Sequence, residues 1–224
     1  MYNRICKKQH KGEHAGMILQ VLLTIITQSL AYFYLCFRRK KEETKRKNIV
    51  IGYLVTLCFT IIFANIARQR TTDLLQYTRL LTLYQILYCV AVVDAEIKII
   101  PNTLLFCGGL FQTFFLLIEC LKNSTALKTV FIPSLIGGML SIGILSCVYW
   151  LSKQAIGFGD VKLMGMIGFY SDYFCSFSVL FFALLFATIY AFYLLGCKKK
   201  SKKEPFPFAP FILFGYCLSI FLLK

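Results

Sequence analysis

Residues 74–102 read LLQYTRLLTLYQILYCVAVVDAEIKIIPN, and this stretch decides the fold. From 74 to 93 only Arg79 carries a charge. An apolar run of about 20 residues is what an α-helix needs to cross the hydrocarbon core of a bilayer. Asp94 follows at once, then Glu96 and Lys98. Pro101 has no N–H to donate and its ring blocks the carbonyl four residues back, so it ends a helix arriving from its N-terminal side. It suits the first turn of a new helix, and a second apolar run opens at 103. The stretch reads as span, turn, span.

Working outward, comparable runs lie near 17–37, 49–67, 103–121, 130–150, 174–195 and 206–223. A shorter one, from about 155 or 161 to 170, contains Gly165 and Gly168 and is short for a full span. The whole chain of 224 residues is 58% hydrophobic and 16% charged. Soluble domains carry about 25% charged residues, and a soluble core of this size could not bury so much apolar surface. The expectation is an all-α polytopic membrane bundle of about eight transmembrane helices, forming one membrane domain over 1–224.

The net charge of +15 does not indicate nucleic acid, because Lys and Arg cluster between the apolar runs, at 38–48 and 198–203. Such clusters mark cytoplasmic loops and attract anionic lipid head groups, which makes the bilayer itself a partner. Assigned to alternate loops, Lys and Arg divide fifteen against ten, or fifteen against six without the N-terminal tail. The fifteen-residue side holds the 38–48 run, the residues after 93, those after 150 and the run before Pro205. That side is expected to be cytoplasmic, with both ends of the chain outside, although Arg4, Lys7, Lys8 and Lys11 in the tail oppose this. No cleavable signal peptide is evident, since the first apolar run is too long and ends in Arg38-Arg39.

The ten cysteines form no C-x-x-C pair and sit mostly in apolar runs, so neither a disulfide framework nor a zinc site is expected. His10 to His14 spells H-x-x-E-H, but Gly12 interrupts it and the chain has no third histidine. No metal is expected there. Glu119 and Asp172 fall at outer span ends and read as interfacial anchors. Trp150, Phe158 and many tyrosines read as interfacial belt or packing.

A second turn resembles the first. Gly157-Phe158-Gly159-Asp160-Val161-Lys162-Leu163 opens an apolar run as Asp94 closes one. Its two glycines permit backbone conformations and close helix approach. Two spans separate Asp94 from Asp160, so both return to the same membrane face. Two carboxylates held together do not both ionise easily: one keeps its proton as general acid, and the other activates water as general base. That arrangement hydrolyses a peptide bond without a covalent intermediate. The plainer alternative makes them juxtamembrane charges paired with Lys98 and Lys162. A small proton-coupled transporter is another, and it calls for ionisable residues near the bilayer midplane and an internal repeat.

These residues resemble the type IV prepilin peptidases, the bacterial branch of the GxGD aspartyl proteases. The resemblance covers about 74–224. It rests on Asp94 followed by Ile100-Pro101-Asn102, on Gly157 to Leu163 with Gly159, Asp160 and Lys162, and on Pro207-Phe208-Ala209-Pro210-Phe211. It implies an aspartyl endopeptidase of the bacterial cytoplasmic membrane with Asp94 and Asp160 as catalytic pair. Its substrates would be prepilins or pseudopilins of a pilus, secretion or DNA-uptake system, cut at a cytoplasmic leader. Pro101, Asn102, Gly157, Gly159, Lys162, Pro207 and Pro210 would support the site; the three prolines from 205 to 210 either merely start the final helix or, as the resemblance favours, shape a substrate groove. Longer members carry two C-x-x-C pairs in a large first loop and also methylate the new N-terminus. Here that loop is the basic run 38–48, so no cofactor is expected, and S-adenosylmethionine only where methylation is retained. Another GxGD protease with different membrane substrates fits the same residues, and an inactive scaffold is disfavoured by both aspartates being intact.

Overall fold

Where they are described, the apolar runs become helices. The computed structural model describes residues 16, 20–22, 24–26, 28–29, 46–71, 73–123, 125–151, 157–196 and 207–222. The described residues between 16 and 29 are helical. After them come α1 (Arg46–Arg70), α2 (Leu74–Ile97), α3 (Asn102–Lys122) and a π-helical turn (Leu127–Phe131) that runs into α4 (Ile132–Leu151). Then follow α5 (Phe158–Tyr170), α6 (Tyr173–Gly196) and α7 (Ala209–Leu222). The His10–His14 stretch, residues 38–45 of the first basic run, the run 198–203, Lys153 and Pro205 lie outside the described residues.

Leu74–Ile97, Asn102–Lys122, Leu127–Leu151 and Tyr173–Leu194 are each long and apolar enough to cross a membrane. Large apolar side chains face outward along them: Phe106 and Phe192 are 69% and 70% exposed. Water would penalise that surface and lipid does not. The all-α membrane class expected from the sequence is what the chain adopts. The short run is confirmed as short. At 13 residues, α5 rises about 20 Å, against a hydrocarbon core of about 30 Å. It is instead enclosed by neighbours, with Leu163 and Ile167 fully buried, as a helix apolar all round requires.

The chain divides into two compact units, Met1–Gln85 and Ile86–Lys224, with α2 running through the boundary. In the first unit, Gln28 is fully buried and exchanges hydrogen bonds with Thr60 at 2.6 and 2.8 Å. The Thr60 hydroxyl also lies 3.2 Å from the Tyr84 hydroxyl, whose ring stacks on Phe63 at 4.5 Å. An amide buried among apolar helices without such partners would cost several kcal/mol by the order of water-to-hydrocarbon transfer, roughly 4–8.

In the second unit, α5 is the central post. Gly137 of α4 and Gly168 of α5 let the two backbones meet: a Cβ on Gly137 would lie 2.6 Å from the Gly168 carbonyl oxygen. Small residues at helix crossings permit this approach in membranes. Gln112 of α3 donates to the Phe169 carbonyl at 2.7 Å, and the Tyr170 hydroxyl donates to the Gly108 carbonyl at 2.9 Å. Ser141 and Ser176 join α4 to α6 at 2.7 Å. Two expected interfacial anchors behave differently. Glu119 is buried within α3. Asp172 caps α6, its Oδ1 accepting the Cys175 N–H at 3.2 Å.

Candidate active site

All the residues singled out as a site lie in the second unit, where four helix ends converge. α2 continues to Ile97, one turn beyond the expected end of the apolar run, because Ala95 and Glu96 favour helix. Asp94 therefore sits within the last turn. The helix closes at Lys98, whose φ is 57° and whose N–H donates to the Asp94 carbonyl at 2.9 Å. This left-handed capping bond usually falls to Gly, since a Cβ there costs about 1–2 kcal/mol. The chain then extends through Ile100 to Pro101, whose φ of −70° and ψ of 122° make it the N-cap of α3, with Asn102 first in the helix. The sequence places Pro101 inside the first turn; it stands one position earlier.

The Asp94 carboxylate is 5% exposed, and its Oδ2 accepts the Ala209 N–H at 3.0 Å. The backbone of Phe208 also donates to it. Phe208 is the N-cap of α7, its carbonyl accepting from Phe211 and Ile212. The first N–H groups of a helix have no partner within it and are commonly met by Ser, Thr, Asp or Asn at the cap. Pro207-Phe208-Ala209-Pro210 offers no such side chain. Asp94 supplies the acceptor across 115 residues of sequence. Pro210, in the first turn, has no N–H to satisfy. At Pro207 and Pro210 the chain begins a helix whose donors are turned on the first aspartate.

Asp160 is the third residue of α5, after the N-cap Gly157. It accepts a backbone hydrogen bond from Gly157, the reach-back of a capping box. Neither glycine of the motif uses the left-handed region expected as one option, and Gly157 has φ −69°. Gly159 serves close approach instead: a Cβ there would meet Ile100 Cβ at 3.0 Å. Lys162 donates to Asn102 Oδ1 at 3.0 Å and lies 5.1 Å above the Phe158 ring. That ring packs edge-on against Tyr149 of α4, with centroids 5.7 Å apart. The plainer pairing of Asp160 with Lys162 is therefore not made, as expected for positions two apart on a helix, which face different ways.

Asp94, Pro101, Asn102, Gly157, Gly159, Asp160, Lys162, Pro207 and Pro210 thus belong to one cluster of helix ends. Its electrostatics are those of an interacting pair. Burial first, and then the negative charge of Asp94, push the Asp160 carboxyl up to about 7, against the opposing Gly157 hydrogen bond. Other residues of the quoted motifs have roles that the sequence reading did not assign. Ile100 shows only as the partner of Gly159, and Phe158 passed for interfacial packing. The Phe208 and Ala209 N–H groups left one legible signal: a helix start without a capping side chain.

The fold and the cluster define an α-helical membrane protein with two interacting carboxylates, one buried and one half-buried, at converging helix ends. Residues 81–192, half of the chain, match the type IV leader peptidase family, and the chain belongs to it. It is 27% identical over 134 residues to the prepilin leader peptidase/N-methyltransferase of Bacillus subtilis (strain 168). That match covers 60% of this chain, and the chain spans about half (51%) of the relative. No solved structure matches. The family match contains both Asp94 and Asp160 and ends before the start of α7.

Proposed function

We propose that this protein is an aspartyl endopeptidase that removes the leader peptide of type IV prepilins or pilin-like proteins at the cytoplasmic face of the bacterial membrane. The observation that carries the reading is the convergence of Asp94 and the half-buried Asp160 at adjoining helix ends, near enough for the charge of one to act on the other. It divides the labour of the pair. Asp94, fed by two backbone N–H groups at the positive end of α7, is the anion. Asp160 holds its proton to about 7. Asp94 takes a proton from water as its oxygen attacks the scissile carbonyl carbon, and Asp160 gives its proton to the carbonyl oxygen. The C–N bond then breaks as the proton gathered by Asp94 passes to the leaving amine and one hydroxyl proton of the tetrahedral intermediate returns to Asp160, restoring both carboxyls. No covalent intermediate forms.

Family membership supports the peptidase class, and the charge count supports the cytoplasmic side. Methylation is not carried over from the relative's name, because the 38–48 loop holds no cysteine pair. The test is leader removal from purified prepilin by protein in detergent. Asp94→Asn and Asp160→Asn should each abolish it, and a reporter placed after residue 45 should read as cytoplasmic. Cleavage that survives either substitution refutes the pair as its seat.

A further inference from the structure

We propose that Asn102 and Lys162 are positioning residues: their hydrogen bond clasps the first turn of α5 to the first turn of α3 and thereby sets the separation of Asp94 and Asp160. The proposal rests on the reading of those two aspartates as the working pair. Neither Asn102 nor Lys162 touches either carboxylate; they act through the turns that carry them.

The placement is what makes a clasp. Asp94 ends α2, and the chain from Asp94 to Asn102 is a short turn of fixed shape, closed by the Lys98 N–H to the Asp94 carbonyl and by Pro101. Asn102 thus reports the position of the Asp94 turn. Asp160 and Lys162 share the first turn of α5 but project to different sides of it. While Asp160 turns back to Gly157, Lys162 reaches across to Asn102 Oδ1 at 3.0 Å. Asn102 makes no cap for its own helix, and its side chain is committed to this bond instead. On the same side Gly159 admits Ile100, so backbone and side chain approach together. The Phe158 ring beneath the ammonium, itself braced by Tyr149, restricts where Lys162 can point. An exposed bond of this kind adds little to global stability. Its effect is geometric.

Among the described residues, the elements that meet at this cluster carry the following charged and titratable groups. α2 carries Asp94, Glu96 and Lys98, α4 carries Tyr149, and α6 carries Tyr190 beside Phe211. α5 itself carries Lys162; α3 brings Asn102 and α7 its backbone. Among them Asp94 is the group whose charge raises Asp160. Loosening the clasp lets the two turns part, weakens that repulsion and lowers the Asp160 titration. Lys162 acting merely as a nearby positive charge predicts the reverse on its removal, because losing a cation raises a carboxyl.

The test is a carbon NMR titration of the Asp160 carboxyl in detergent-solubilised full-length protein, across the range bracketing 7. Asn102→Ala and Lys162→Met should each move it down by about one pH unit, and the double variant no further, since both break one bond. Lys162→Arg, which keeps a donor, should hold the wild-type value and controls for the fold. The alkaline limb of kcat/KM for prepilin cleavage should move with the titration. An upward move in Lys162→Met, additive effects, or no movement in either single variant overturns the clasp. Failure of the peptidase reading is seen separately, as cleavage that survives Asp160→Asn, and leaves the carboxyl titration still able to decide the clasp.

Discussion

Removing the Asp94 carboxylate should loosen the start of α7 by an amount that depends on what replaces it. In the native protein the Oδ2 of Asp94 accepts the Ala209 N–H at 3.0 Å in a site only 5% exposed, with Phe208 as second donor. A buried hydrogen bond to a charged group is worth about 1.5–3 kcal/mol, and a neutral one about 1. Asp94→Ala leaves the donors without an acceptor, so opening of this turn becomes easier by about 2 kcal/mol, or roughly 30-fold in hydrogen exchange. Asp94→Asn keeps an acceptor oxygen and loses the charge, so exchange should rise only about 5-fold, for about 1 kcal/mol. Leader cleavage, which needs the ionised base, should be lost in both. The assay is amide exchange of Phe208 and Ala209 beside cleavage of prepilin. The cap is refuted if Ala209 exchanges in Asp94→Ala at the native rate. Equal acceleration in Asn and Ala would show that the charge alone, and not the acceptor, holds the helix.

Further expectations follow from neighbouring positions. The folded Asp160 keeps its proton to about 7 whereas the unfolded carboxyl releases it near the ordinary 3.8, so the folded state binds more protons between those values. Its contribution to stability is full below the lower value and is lost as pH rises through the window; thermal denaturation in detergent should show this slope, and Asp160→Asn should flatten it. Peptidase activity should also fall as pH passes 7 from below, a decline that a rate profile centred well above 7 would contradict. Gly159→Ala should cost about 1–3 kcal/mol by overpacking and impair cleavage, because its Cβ meets Ile100 Cβ at 3.0 Å. Trimming Ile100 to Ala leaves that Cβ in place and should not rescue it; Ile100→Gly should. Lys98→Gly should stabilise by about 1 kcal/mol, since Gly carries no penalty at φ 57°, and a lowered Tm would count against strain at that turn.

The helical membrane class and the two aspartates were legible because each leaves a local trace. A run such as 74–93 needs no tertiary information to be read as a span, and Gly159-Asp160 beside Pro101-Asn102 is written in contiguous residues. What stayed hidden is made of long-range pairs. The Phe208 and Ala209 N–H groups have no side-chain signature, and their acceptor lies 115 residues away. Lys162 is a juxtamembrane lysine like several others until Asn102 is placed opposite it. Glu119 reads as a surface charge because composition alone does not tell which side of α3 is covered. The end of α2 was missed by one turn, since apolarity stops at Asp94 while helix propensity does not.

The tie between Asp94 and Ala209 also has a consequence in time. Synthesis runs from the N-terminus, so a ribosome that has finished α2, and even α5, has not yet made the residues that hold the first aspartate. Until α7 emerges and docks, that carboxylate has neither of its backbone donors. A nascent chain carrying both aspartates therefore lacks the setting that distinguishes them, and α7, translated after α2 and α5, is the helix that completes it.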